Sequence, residues 1–171
     1  PPDSPDGFST PPIDDMDGAG YFPGGAAARG LSSLYFSLAN NSPSLFFLPG
    51  APPSGANIYY DANTSVPGTE QTYVQFSAIG LAPNDDIDAL IVFDANNDGV
   101  FVPGTDKIIF SLSRNSPTVI NLGFSPADLF TWNGLGPFTL YAASHDLGLS
   151  PGDNVDAIDL LLTSDIDQSI H

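Results

Sequence analysis

The sequence predicts an all-β protein, an internally duplicated antiparallel β-sandwich, with propeller-like blades as the alternative architecture. Three observations lead there. First, two long motifs recur in the same order. Leu34-Tyr35-Phe36-Ser37-Leu38 with Asn41-Ser42-Pro43 returns as Ile108-Ile109-Phe110-Ser111-Leu112 with Asn115-Ser116-Pro117. The stretch from Ile79-Gly80-Leu81 to Ile87-Asp88-Ala89-Leu90 returns as Leu147-Gly148-Leu149 to Val155-Asp156-Ala157-Ile158. Second, short apolar runs rich in β-favouring aromatics (12 Phe, 6 Tyr) are punctuated by turn formers, 17 Gly and 17 Pro. Third, no segment carries a sustained stripe of period 3.6.

The chain divides by this reading into four parts. Residues 1–30 form an extended Pro/Gly-rich arm with a reduced Asp loop at 14–24 and a Gly/Ala spacer. Residues 31–94 are the first β-repeat, 95–106 a connector, and 107–171 the second β-repeat. Strands are expected near 31–39, 44–48, 57–62, 72–79 and 87–94, and again near 107–113, 118–123, 128–133, 138–144 and 155–163. Alternation is clearest where Val74, Phe76 and Ala78 share one face. Leu34-Tyr35-Phe36 and Ile108-Ile109-Phe110 are apolar on both faces, which suits central strands. Ser125-Pro126-Ala127-Asp128 has the chemistry to open a short helical turn, with Ser as cap and Pro at the first position.

Charge narrows the function. The 171 residues carry a formal net charge of -17, with Arg29, Lys107 and Arg114 as the fixed cations. Phosphate contacts need a basic face, so a nucleic-acid partner is excluded as an expectation. No apolar run reaches transmembrane length, so membrane insertion is not expected. There is no cysteine, hence neither a disulfide framework nor a thiolate metal site. Among the 20 acids only Glu70 is a glutamate. Aspartate is short, suits turns and fits tight oxygen cages, so the bias points to loops and to divalent cations.

Asp94-Ala95-Asn96-Asn97-Asp98-Gly99 concentrates that signal. Oxygen side chains at every second position, followed by a glycine at the bend, are how a backbone wraps a hard cation. The stretch resembles the first half of an EF-hand or dockerin calcium loop, a resemblance that implies Ca2+ as the cofactor. Asp94, Asn96, Asp98, Val100 and Asp106 form the candidate ligand set. The departure from the pattern is at the twelfth position, where Thr105 stands in place of a bidentate Glu. The alternative is an Asp/Asn-rich hairpin. A second candidate set comes from the repeated Asp-rich motif: Asp86 and Asp88 on one strand face, Asn154 and Asp156 on the other copy. There the choice lies between calcium and Asx-turn structure.

Catalytic alternatives are thinner. A glycosidase needs two carboxylates with divergent pKa across a cleft, and no pair stands out. His145 next to Asp146 mimics a base with its orienter, but no nucleophile elbow accompanies it. Trp132 with Tyr141, or Tyr59 with Tyr60, offers a sugar-stacking platform or ordinary strand aromatics. The duplicated motif resembles repeats in exported bacterial proteins of unassigned function, some carrying a PEP-CTERM-type sorting tail. That resemblance implies export and repetitive β architecture. The resulting expectation is a secreted or cell-surface, calcium-stabilised structural or adhesive protein without catalysis. It self-associates through its N-terminal arm as an oligomer or filament, and a glycan is a further candidate partner. A carbohydrate-binding module and an Asp-dependent glycoside hydrolase are the alternatives.

Overall fold

The computed structural model describes residues 18–20, 33–49 and 52–159. The extended arm at 1–12, the Gly/Ala spacer and His171 lie outside these residues. So do residues 160–163 of the last expected strand, and all of the reduced Asp loop except 18–20.

The described residues are mostly β, in two antiparallel sheets with short helices only. The first sheet contains β2 (Leu34–Ser37), β3 (Ile58–Asp61) and β4 (Glu70–Val74), with the short strand β1 (Gly18–Gly20) beside β2. The second runs in order through β5 (Ile87–Phe93), β6 (Lys107–Leu112), β7 (Leu129–Trp132) and β8 (Thr139–Ala142). Sheets and sequence repeats are out of phase. β5 belongs to the first repeat by sequence yet pairs with β6 of the second, Leu90 facing Phe110 and Ile91 facing Ile109.

One apolar cluster draws on both sheets. Tyr35, Ile58, Tyr60 and Tyr73 come from the first, and Leu90, Ile108, Phe110, Phe130 and Trp132 from the second. A smaller cluster of Phe36, Leu38, Leu45 and Tyr59 lies on the first sheet's other side. Tyr35 and Phe36 are adjacent and so point to opposite faces, as period two requires.

Three expected strand segments are helical. Residues 44–48 fall in a 3₁₀ helix, Pro43–Phe46, and residues 118–123 in α2, Pro117–Leu122. Each follows a Ser-Pro whose proline sits in the first turn, where its missing N–H costs nothing and its fixed φ suits a helix. Residues 72–79 are strand only to Val74, and Phe76–Ile79 form the single turn α1. Gly80 ends α1 at φ 91°, with Leu81 N bonding back to Phe76 O at 3.0 Å, a Schellman-type stop that a β reading overlooks. Residues 125–128 make a turn, Asp128 N to Ser125 O at 3.0 Å, and not a helix start. Residues 155–159 carry no strand pairing among the described residues.

The duplication survives as hydrogen bonds. Asp85 N bonds Ala82 O at 3.0 Å, and Asp153 N bonds Ser150 O at 2.9 Å. Ala56 N donates to Ser54 Oγ at 3.2 Å, and Ala127 N to Ser125 Oγ at 3.0 Å. Ser37 Oγ donates to Ile87 O at 3.2 Å, and Ser111 Oγ to Val155 O at 2.7 Å.

Candidate functional site

The central loop is wound on its own acids. Asp94 is fully buried at the end of β5. Its Oδ1 accepts the amides of Asn96 at 3.3 Å and Asn97 at 2.8 Å; its Oδ2 accepts the Gly99 amide at 2.9 Å and the Tyr35 hydroxyl at 2.5 Å. A carboxylate offers about four lone-pair sites, and all four are taken. Asp106 serves the loop's far end, accepting from Ala95 N at 3.0 Å, Val102 N at 2.6 Å and, at 3.5 Å, Tyr73 OH. Three of these donors are loop amides and the fourth is the Tyr35 hydroxyl, so a cation at Asp94 would have to share or displace them. Asn96 and Asp98 are exposed and bond each other at 2.7 Å, while Val100 N caps onto Asp98 Oδ1 at 2.8 Å. Among the described residues, no group of three His, Cys, Asp or Glu side chains converges on a metal position.

Two backbone positions make this winding specific. Asn97 takes φ 55° and Gly99 φ 74°, both left-handed. A Cβ on Gly99 would stand 2.2 Å from the Tyr60 ring, so the glycine serves close approach as well as the turn. The tyrosines that reach the loop acids are held neutral. Burial, then the hydrogen bond to Asp94, pushes the Tyr35 phenol far above its ordinary range. Burial, then the charge of Asp106, does the same to Tyr73.

The second candidate set is split. Asn154 Nδ2 donates to Asp88 Oδ2 at 2.5 Å and also to Asp156 Oδ1, drawing one acid from each repeat to a single exposed amide. Asp86 lies apart, its Oδ2 accepting Asn40 N at 3.3 Å.

The acid that does most between the units is Asp85, which the ligand patterns pass over. It is fully buried, closes its own turn by accepting Ala82 N at 2.6 Å, and takes the Thr118 amide at 2.8 Å and hydroxyl at 2.5 Å. Thr118 lies in the first turn of α2 in the other repeat, where orphan amides and the helix dipole favour an acceptor. Asn57 and Asp128 form a matching pair: Asn57 Oδ1 accepts Phe76 N at 3.0 Å, and Asp128 Oδ1 accepts Ser144 N at 2.7 Å. The readable signal was a third repeated motif, Ser54-Gly55-Ala56-Asn57 with Ser125-Pro126-Ala127-Asp128.

Of the expected sugar platforms, Tyr141 is half-exposed, while Trp132, Tyr59 and Tyr60 are buried. Tyr59 and Tyr60 are buried in the two apolar clusters. Trp132 is also buried, with Phe101 stacked on it at 4.7 Å and its Nε1 donating to Gly136 O at 2.9 Å. A cleft of about 310 Å³ does run along its edge, lined by Lys107, Thr131, Asn133, Leu135, Pro137 and Thr139. The Lys107 ammonium stands 4.7 Å above the Phe93 ring. His145 and Asp146 pair at 3.1 Å in the open.

No protein-family model, curated protein or solved structure matches this chain.

Proposed function

We propose that the chain is a non-catalytic structural or adhesive module of the extracellular space, assembled from tandem β-units and latched by aspartates. The observation that carries this is Asp85. Its buried carboxylate is consumed by main-chain and hydroxyl donors on either side of a unit boundary. Asp94, Asp106 and Asp128 are consumed in the same way within loops. An acid saturated by amide donors is an architectural part, whereas a glycosidase needs one acid free to protonate a leaving group and a second facing it. The shared apolar cluster favours the sandwich over separate blades. Calcium enters this reading only as a secondary support where Asp88, Asn154 and Asp156 meet.

The test is turnover on neutral and acidic polysaccharides. Absence of new reducing ends is expected; release that one Asp→Asn change abolishes overturns the reading. The carbohydrate-binding alternative has one observation in its favour, the cleft beside Trp132. There Lys107 supplies a donor in an otherwise acidic chain. Glycan binding lost on Lys107→Ala would favour it.

A further inference from the structure

The cleft beside Trp132 is walled by a loop with little freedom. Residues 133–137 lead from β7 towards β8 through Gly134 at φ 82° and Gly136 at φ 90°. A Cβ on Gly134 would stand 2.8 Å from the Phe101 ring and from Pro103, so the loop sits tightly on its neighbours. Asn133 O accepts Gly104 N at 2.7 Å, Gly136 O accepts Trp132 Nε1 at 2.9 Å, and Asn133 Oδ1 accepts Leu135 N at 3.1 Å. Leu135 and Pro137 are left exposed along the cleft. A wall fixed in advance costs little further ordering when a ligand arrives.

The floor is the face of the second sheet that turns away from the shared apolar cluster. Phe93 lies opposite Lys107, Ile109 opposite Thr131, and Thr131 opposite Thr139. Paired positions share a face, and period two joins Lys107 to Ile109. Lys107, Thr131 and Thr139 therefore stand on one side of the sheet, and Ile108, Phe130 and Trp132 on the other, in the core. Lys107 is half-buried, and among the described residues its ammonium pairs with none of the acids but rests over the Phe93 ring. Its chain neighbour Asp106 is turned to Ala95, Val102 and Tyr73. Arg114, the other fixed cation among the described residues, is engaged by the Gly152 carbonyl. An ammonium without a counter-ion, in a chain of formal net charge -17, gives this cleft a local sign opposite to the protein's own.

We infer that this cleft binds a carboxylate-bearing sugar, a uronic acid unit of a glycan. Lys107 takes the carboxylate. Asn133 spends its oxygen on Leu135 N and keeps its amide nitrogen for a ring hydroxyl, and the exposed Thr139 hydroxyl serves a second. The C–H face of the sugar packs on Leu135 and Pro137. At about 310 Å³ the cleft is at the small end for a ligand site, which suits a short stretch of glycan and not a large cofactor. Repulsion from the rest of the acidic chain disfavours a densely charged polymer, so the fit is to a uronate flanked by neutral sugars. This rests on the carbohydrate-binding reading of the cleft and names its ligand; a neutral sugar bound equally well would leave that reading standing and overturn this one.

The experiment titrates the full chain with three probes: a disaccharide of one glucuronate and one xylose, the methyl ester of that disaccharide, and acetate. Binding is followed by NMR chemical shifts at ~0.15 M salt, where the Debye length is ~8 Å and repulsion from the rest of the chain is damped. The acid should bind at millimolar concentration, and the ester roughly tenfold or more weaker, the loss expected of one charge-assisted hydrogen bond. Lys107→Met keeps the side-chain stem and should bring the acid down to the ester's affinity, whereas Lys107→Arg should keep the preference. Leu135→Ala, at an exposed position, should weaken acid and ester alike, and Arg114→Met should change neither. Melting curves matching the parent protein establish that the variants fold. Acid and ester bound equally, or a preference that survives Lys107→Met, overturns the proposal. Acetate bound as tightly as the disaccharide would mark a bare carboxylate site and overturn the sugar. No binding of any probe would overturn this inference and the carbohydrate-binding reading together.

Discussion

Asp85 holds Thr118 twice, through the backbone amide at 2.8 Å and the hydroxyl at 2.5 Å, from a turn 33 positions earlier in the chain. The acid is fully buried and its partner lies in the first turn of a helix, so the second repeat is completed by a side chain of the first.

Asp85→Ala should therefore cost about 2–4 kcal/mol, because it orphans a buried helix amide and removes the lock on the Ala82 turn. Asp153→Ala, at the equivalent exposed place, should cost under about 1 kcal/mol in monomer stability. Urea unfolding of both variants checks this; equal losses would mean the latch is not what distinguishes the two sites.

Gly99→Ala should destabilise by about 2–4 kcal/mol. Positive φ contributes about 1 kcal/mol of that, and displacement of the Tyr60 ring the rest. Asn97→Ala, whose position is left-handed but not crowded by that ring, should cost less. A reversed order in denaturant midpoints would place the loop's constraint elsewhere.

Calcium should act, where it acts, through Asp88 and Asp156. Binding to the native state alone stabilises by ~2.7 kcal/mol at a hundredfold excess over Kd. A calcium-dependent rise in Tm should vanish in Asp88→Asn and persist in Asp98→Asn, since the central loop's buried acids are taken by amides. Loss of the response in Asp98→Asn alone would return the ion to the central loop.

High pH should unfold the protein before it ionises Tyr35 and Tyr73. Both phenols are raised on folding, chiefly by burial, then by Asp94 and Asp106 respectively. An unfolded tyrosine ionises near pH ~10. Their contribution is thus complete below that pH and falls by ~1.4 kcal/mol per phenol per pH unit above it. The phenolate absorbance of Tyr35 and Tyr73, and of Tyr59, which burial also raises, should appear only together with loss of β signal. Early, separate titration of all six would contradict the burial argument.

Much of the sheet was legible in the sequence because strand patterning and duplication are local signals. β2 and β6 fell where two-faced apolar runs indicated, and β5 where the Asp-rich motif leads into Ala-Leu-Ile-Val-Phe. The helical turns at Pro43, Phe76 and Pro117 were not. Phe76 and Ala78 alternate as a strand does, and it is Gly80 that turns the chain into a helix end. For the loop, Asp94-Asn96-Asp98 spacing reads alike for a cation cage and for a carboxylate wrapped in amides. The fold adds a partner that no local pattern announces, Tyr35, 59 positions away, donating to Asp94. The importance of Asp85 was hidden for the same reason, since its partner lies in another repeat.

The offset between sheet and repeat also fixes where such a gene can be cut. A segment excised at the sequence boundary near residue 94 keeps β5 but strips the following sheet of its first strand. A break in the turn at Ala82–Asp85 would leave β5 with its sheet but sever Asp85 from one of the two units it joins. The protein is inherited as a run of overlapping parts, so copies gained or lost by recombination must exchange whole periods, in register, to leave every layer complete.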